Sequence, residues 1–229
     1  MQTREMAVTV PLDGVELQGD LNIPQDARGI ILFAHGSGSS RKSPRNRAVA
    51  MELQQAHFAT LLLDLLSIDE ERIDIRTAQL RFDIPLLAAR LEAATAWLAH
   101  EHSTRHLTLG YFGASTGAAG ALVAAARLPD RVHAVVSRGG RPDLAGAALP
   151  SVRAPTLLIV GGNDTDVIRL NQIAMNAMTC VKEMDIVPGA GHLFEEPGAL
   201  GEVSSLAAAW FERHLAPGFT HAGQEKIGW

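Results

Sequence analysis

The residues with the clearest chemical potential are a serine between two glycines, an aspartate, and a late histidine. Ser115 stands in Gly113-Ala114-Ser115-Thr116-Gly117, after an apolar run and before an alanine-rich segment. A serine hydroxyl is a weak nucleophile unless the chain holds it out beside a base. A tight strand-to-helix turn does that, at the expense of strain at the serine and crowding two residues to either side. Glycine at both flanking positions relieves the crowding. The same turn aims a helix N-terminus, with its partial positive charge, at any oxyanion formed beside the serine. Five-residue glycine–serine strings also arise by chance as small-residue helix starts, so the weight comes from the strand before and the helix after.

In a sheet built around such an elbow, the acid and then the base follow the nucleophile along the chain. The run Thr156–Val160 leads into Gly161-Gly162-Asn163-Asp164, and Val181–Val187 leads into Pro188-Gly189-Ala190-Gly191-His192. His192 is the expected base, on a flexible glycine-rich loop able to swing the imidazole toward the serine. Asp164 is the expected orienting acid. Asp143 is the second candidate for the acid. Asp166 reads as the better-placed N-cap of the helix that follows. His57, His100, His102, His106, His133, His214 and His221 fall at helix ends, on faces or in the tail, where surface or structural roles fit better.

An acyl-transfer oxyanion needs two backbone N–H donors. Thr116, next after the nucleophile, supplies one. The loop His35-Gly36-Ser37-Gly38-Ser39-Ser40 supplies the other, expected from Ser37, while Gly36 and Gly38 let the backbone approach a substrate closely. This loop lacks the glycine spacing and the Gly-Lys-Ser/Thr ending of phosphate cradles. His35 reads as a structural hydrogen-bonding residue beneath it. Arg41, Arg45, Arg81, Arg138 and Arg141 recur on segments expected at the same sheet edge. They suit an anionic substrate group, with Arg45, Arg81 and Arg138 as candidate contacts, or ordinary pairing with nearby acids.

These residues need a scaffold that brings strand ends together. The runs Ile30–Ala34, Thr60–Leu65, Leu107–Phe112, Val132–Ser137, Thr156–Val160 and Val181–Val187 are almost continuously apolar, as in parallel strands buried on both faces. Met6–Val10 and Val15–Asn22 flank Asp13-Gly14 and predict an opening hairpin. Helices are predicted after Ser43-Pro44, after Asp83-Ile84-Pro85, at the elbow, after Asp166 with Leu170, Ala174 and Met178 inward, and around Val203 to Phe211. This alternation specifies a mostly parallel, doubly wound α/β sheet of about 7–8 strands flanked by helices, in a single domain over residues 1–229. The segment from Pro217 to Trp229 lacks period and reads as a frayed or docking tail.

At 47% hydrophobic and 20% charged residues, the chain has the composition of an ordinary globular protein. A net charge of −5 gives no reason to expect nucleic acid or an anionic membrane as partner. The N-terminus lacks a signal-peptide core, no run reaches the roughly 18 apolar residues of a membrane span, and Cys180 has no partner for an intrachain disulfide. A cytoplasmic protein is the simplest expectation.

With these residues in place, the chain resembles the dienelactone-hydrolase-related branch of the α/β-hydrolases from about Val15 to Leu215. The likeness rests on His35-Gly-Ser-Gly-Ser-Ser with Ser43-Pro44-Arg45-Asn46-Arg47, the elbow, Ser137-Arg138-Gly-Gly-Arg141-Pro-Asp143, Gly161-Gly-Asn-Asp164 and Gly191-His192-Leu-Phe-Glu-Glu-Pro. The resemblance implies hydrolysis of esters or lactones with no metal or organic cofactor. Serine here replaces the cysteine nucleophile of true dienelactone hydrolases, which points to a carboxylesterase for small-molecule esters, as a monomer or homodimer. About 18 residues separate Val132–Ser137 from Thr156–Val160, too few for a large lid. An open pocket for short acyl groups follows, and Ser67–Arg81 is the one alternative source of a cover. Acyl transfer to another acceptor, or a catalytically silent receptor, are the competing functions.

Overall fold

The computed structural model describes residues 3–12 and 14–215; the expected tail at Pro217–Trp229, with His221, lies outside them. The chain opens with the antiparallel hairpin β1 (Thr3–Leu12) and β2 (Val15–Pro24). It continues through β3 (Gly29–Ala34), α1 (Pro44–Gln55), β4 (Phe58–Leu63), α2 (Ile68–Thr77), α3 (Ile84–His100), β5 (Leu109–Ala114) and α4 (Thr116–Arg127). It closes with β6 (Val132–Arg138), β7 (Thr156–Gly161), α5 (Thr165–Ala177), β8 (Lys182–Val187) and α6 (Ala199–Leu215). Among the described residues these strands form one eight-stranded sheet in the order β1-β2-β4-β3-β5-β6-β7-β8. From β4 through β8 all neighbours run parallel, while β2 meets β4 antiparallel. This is the α/β-hydrolase arrangement, with no large inserted domain among the described residues.

Strand pleating explains the two cores. Along β3, Ile30 and Leu32 join the apolar cluster beneath α3 and α4, and Ile31 and Phe33 join the cluster beneath α1 and α6. Successive side chains face opposite sides, so a strand buried on both must be apolar throughout. All six residues of β3, β4, β5 and β7 are buried. The last strand departs from that expectation. In β8 only Val187 is buried, because it is the sheet's edge and carries Lys182, Glu183 and Asp185 along its length. Charges on an edge deter pairing with another chain.

Two helix starts behave as their residues dictate. The Ser43 side chain accepts from Asn46 N–H, with Pro44 in the first turn, and Asp83 accepts from Leu86 N–H. The start of α5 corrects the reading of Asp166. The N-cap position belongs to Asp164, whose carboxylate makes no capping bond, and Asp166 lies inside the first turn. The inward face of α5 is Val167, Asn171 and Ala174, with Met178 beyond the helix, while Leu170 is only half-buried. Residues Pro142–Ser151 are a short 3-10 segment and raise no lid. Ser67–Arg81 is a structured wall: α2 begins with a reciprocal capping box between Ser67 and Glu70, and a 3-10 turn over Leu80–Phe82 follows.

Candidate active site

The site assembles at the carboxyl ends of β3, β5, β6, β7 and β8, where loops of a doubly wound sheet converge. β5 runs into the elbow and α4 leaves it at Thr116, so Ser115 sits at the corner with φ 49° and ψ −123°. That left-handed φ on a residue with a Cβ is strain of order 1–3 kcal/mol. The surroundings hold it there: Ser115 N–H donates to Arg138 O (3.3 Å), and Arg141 N–H donates to Ser115 O (3.1 Å). Ser115 does not cap α4 with its side chain, which leaves the hydroxyl uncommitted to the helix. The flanking glycines are dictated by packing. A Cβ on Gly117 would stand 2.4 Å from both Ala34 O and His35 O, and one on Gly113 would stand 2.4 Å from Ala118 Cα.

β7 and β8 bring the second pair together. His192 Nδ1–H donates to Asp164 Oδ2 at 2.6 Å, which fixes the tautomer and leaves Nε2 as the ring's acceptor. Asp164 is mostly buried and His192 is 40% exposed, so the imidazole faces an open cleft. The cleft, about 200 Å³, is lined by Ser115, His192, Gly36, Ser37, Arg45 and Arg138 among others. The histidine loop is tied down rather than free to swing. Asn163 N–H donates to Ala190 O (2.9 Å), Gly191 N–H donates to Glu196 Oε1 (2.9 Å), and Phe194 is buried. Asp143, the other candidate acid, forms a two-pronged ion pair with Arg141 (2.8 Å for each bond) and has no part in the histidine's setting.

The loop after β3 lies directly against Ser115, since a Cβ on Gly36 would stand 3.0 Å from Ser115 Cβ. Gly38 takes a left-handed φ of 68° and turns the chain back over the cleft. His35 supports the loop from below as expected: its Nδ1–H donates to Gly36 O (2.9 Å) and its Nε2 accepts from Leu65 N–H (3.0 Å). Burial holds its pKa below the ordinary imidazole value, so the ring is neutral and both bonds persist. Thr116 is buried beside Ser115, and its hydroxyl has no hydrogen-bond partner among the described residues.

The arginines separate into two kinds. Arg41 pairs with Asp64 and Asp20, Arg81 with Asp74, Arg141 with Asp143, and Arg45 with Glu195. Arg138 is only 8% exposed and makes no ion pair among the described residues, and its buried Nη1 has no hydrogen-bond partner. Burial, with the nearby charge of Arg45, pushes its pKa down to about 10. Burying an unpaired cation is unfavourable. Two structural residues escaped the sequence reading. Asn171, fully buried, donates to Gly140 O (3.0 Å) and Val167 O (2.8 Å), fastening α5 to the loop behind Ser115. Phe194 anchors the histidine loop, although its place in Gly191-His192-Leu-Phe was visible.

A doubly wound sheet with a strained serine elbow defines an α/β-hydrolase. Within that class the chain belongs to the dienelactone hydrolase family, whose model matches residues 17–216. The chain is 61% identical to a dienelactone hydrolase from Anabaena variabilis, with a TM-score of 0.92 over 94% of this chain and 100% of that one. Est1E from Butyrivibrio proteoclasticus shares the fold at 14% identity, with a TM-score of 0.75 over 90% of this chain and 98% of that one. A Mycobacterium tuberculosis (strain H37Rv) protein provisionally named a phosphoribosyl transferase is 56% identical over 212 residues, 93% of this chain. The chain spans 47% of that relative's length. Among the described residues, no helix is long and apolar enough to cross a membrane.

Proposed function

We propose that the protein hydrolyses small carboxylic esters through an acyl-enzyme on Ser115. The 2.6 Å bond from His192 to Asp164, at the mouth of the cleft that holds Ser115, carries this reading. His192 Nε2 takes the Ser115 proton as Oγ attacks the ester carbonyl, and the carbonyl π pair moves onto oxygen. Thr116 and Ser37 N–H stabilise that oxyanion. Collapse of the intermediate breaks the bond to the alcohol oxygen, which leaves with the proton from His192. Water then repeats the sequence on the acyl-enzyme, with His192 as base, and releases the acid. Asp164 holds the ring and stabilises the imidazolium. Gly36 and Gly38 admit the substrate beside the loop.

Ser115→Ala should abolish turnover of a short p-nitrophenyl ester and labelling by a fluorophosphonate, with the thermal unfolding transition preserved. Retention of most activity would overturn the reading. The same acyl-enzyme serves acyl transfer when an alcohol or peroxide replaces water, and product partitioning with either added acceptor separates the two.

The unpaired Arg138 favours one refinement, an ester carrying a carboxylate or phosphate. Arg138, with Arg45 beside it, offers donors that such an anion would satisfy. Arg81, committed to Asp74, is left out of this role. The transferase name of the mycobacterial relative belongs to a protein about twice as long, of which this chain spans 47%. The shared stretch, 93% of this chain, largely overlaps the dienelactone hydrolase match at residues 17–216.

A further inference from the structure

The histidine loop holds a second strained residue. Among the described residues, four that carry a Cβ take a left-handed φ. His57 and Ala78 do so where α1 and α2 end, an ordinary place for that conformation. Ser115 does so at the elbow. Phe194, with φ 54°, does so in neither setting, and a bulky aromatic residue there is an outlier. Strain of this kind persists only where the surroundings over-determine it, and it gathers at functional sites. Phe194 lies two residues beyond His192 and is 1% exposed, sunk in the core beneath α1 and α6.

Phe194 N–H donates to Gly191 O (3.3 Å) and closes a tight turn with His192 and Leu193 at its centre. Leu193 is left exposed while the Phe194 ring goes inward and meets Gly139, the residue after Arg138. A Cβ on Gly139 would stand 3.3 Å from Phe194 Cε2, 3.1 Å from His192 O and 3.7 Å from His192 Cε1. One backbone position therefore lies against the phenyl ring, the histidine carbonyl and the imidazole together. Its own φ of 50° is left-handed, so a side chain there would be strained as well as crowded. Gly139 N–H donates to Ile159 O (2.8 Å) on β7, the strand that leads to Asp164. We infer that Phe194, seated on Gly139, is a positioning residue for His192: together they set the imidazole so that Nδ1 stays on Asp164 and Nε2 faces the cleft. Core packing alone would be served by a phenyl ring on relaxed backbone. A ring that must also fix the turn two residues back accounts for the strain being kept.

The kinetic part of the test rests on the ester-hydrolase reading, and a spectroscopic part needs no turnover. A long-range proton–nitrogen correlation of the neutral His192 ring, assigned by its loss in His192→Gln, reads the tautomer. The wild type should show Nδ1–H alone, the form imposed by the bond to Asp164. Phe194→Ala and Phe194→Gly both remove the ring, but only glycine keeps a left-handed φ without strain. In the alanine variant the turn relaxes, so both tautomers should appear. Its kcat for a short p-nitrophenyl ester should fall about a hundredfold with KM within about threefold of wild type. The glycine variant should keep the single tautomer and recover roughly tenfold or more of that kcat, although packing alone predicts it to be no better than alanine. Gly139→Ala leaves the core intact and should reproduce the alanine result from the opposite side. Alanine and glycine variants of Phe194 with the same kcat and tautomer, or a Gly139→Ala protein with wild-type kcat and tautomer, overturn the inference. Should neither Phe194 variant fold, Gly139→Ala decides it alone. If the wild type neither turns over the ester nor takes the fluorophosphonate at Ser115, while the tautomers follow the expected order, the hydrolase reading falls and the seat of His192 stands.

Discussion

Replacing Arg138 with methionine should strengthen the fold and weaken selection of charged substrates. The guanidinium is buried, pairs with no carboxylate among the described residues, and is pushed by burial down to a pKa of about 10, more than two units below that of a free arginine. At 1.36 kcal/mol per unit, a depression of that size corresponds to about 3 kcal/mol of destabilisation at neutral pH. The sign is fixed by the direction of the shift: the unfolded chain binds the proton more tightly, so the folded state gains stability only where Arg138 loses it, near the folded pKa. Methionine keeps most of the aliphatic stem and removes the charge. Some packing is lost, and a net gain of roughly 1–3 kcal/mol is expected, or about 2–12 °C in Tm for a chain of this length. Matched esters of one acyl chain, with a carboxylated and an uncharged alcohol, supply the second readout. The ratio of their kcat/KM values should fall roughly 10–100-fold in the variant, the worth of a charge-assisted hydrogen bond. A variant less stable than wild type by more than about 1 kcal/mol, with the charge ratio unchanged, would make Arg138 a structural pillar and remove the anion subsite.

Gly117→Ala should slow fluorophosphonate labelling of Ser115 by at least about a hundredfold, because its Cβ would meet two backbone carbonyls at 2.4 Å and the elbow or loop must shift. Asn171→Ala should lower stability by about 1–3 kcal/mol in urea titration, through the Gly140 carbonyl it leaves unpartnered, and should slow that labelling as well. For His35 the folded pKa lies below the unfolded one, so its contribution is complete above pH 6.5 and drains as pH falls beneath that value. His35→Gln should therefore lose about 1–2 kcal/mol at pH 7.5, yet show a smaller further loss at pH 5.5 than wild type does.

The turn at Ser115, the positions of Asp164 and His192 and the loop after β3 were legible because each is a short pattern at a strand end, which a doubly wound sheet brings to one edge. Ser67 followed three residues later by Glu70 is also a readable capping box, and it opens α2 in the segment expected as a source of cover. Lys182, Glu183 and Asp185 are edge-strand residues, and grouping Val181–Val187 with the doubly buried runs overlooked them. The histidine loop misled for a different reason. Gly189 and Gly191 signal freedom locally, but Phe194 and Glu196, just beyond, hold the loop through contacts that no spacing encodes. Arginine pairing was out of reach altogether. Arg45 meets Glu195 across 150 positions and Arg41 meets Asp64 across 23, so which cation stays unpaired is a property of the assembled sheet.

That property distinguishes the two sides of the nucleophile. Beneath α2, Asp64 and Asp74 each have an arginine, so that side is polar without a bare buried charge. In the cleft, Arg45 is drawn outward to an exposed Glu195 and Arg138 has no counterpart. A fold selected for stability alone would pair Arg138 or replace it, since an apolar residue of similar volume in place of a buried charge is neutral or stabilising. Strain at Ser115 and an unpaired cation at Arg138 thus fall on either side of one 3.3 Å hydrogen bond, Ser115 N–H to Arg138 O. Two unfavourable features at one strand junction are hard to explain as packing accidents. The strain is explained if it holds the Ser115 hydroxyl out for attack, and the cation if a substrate anion pairs with it.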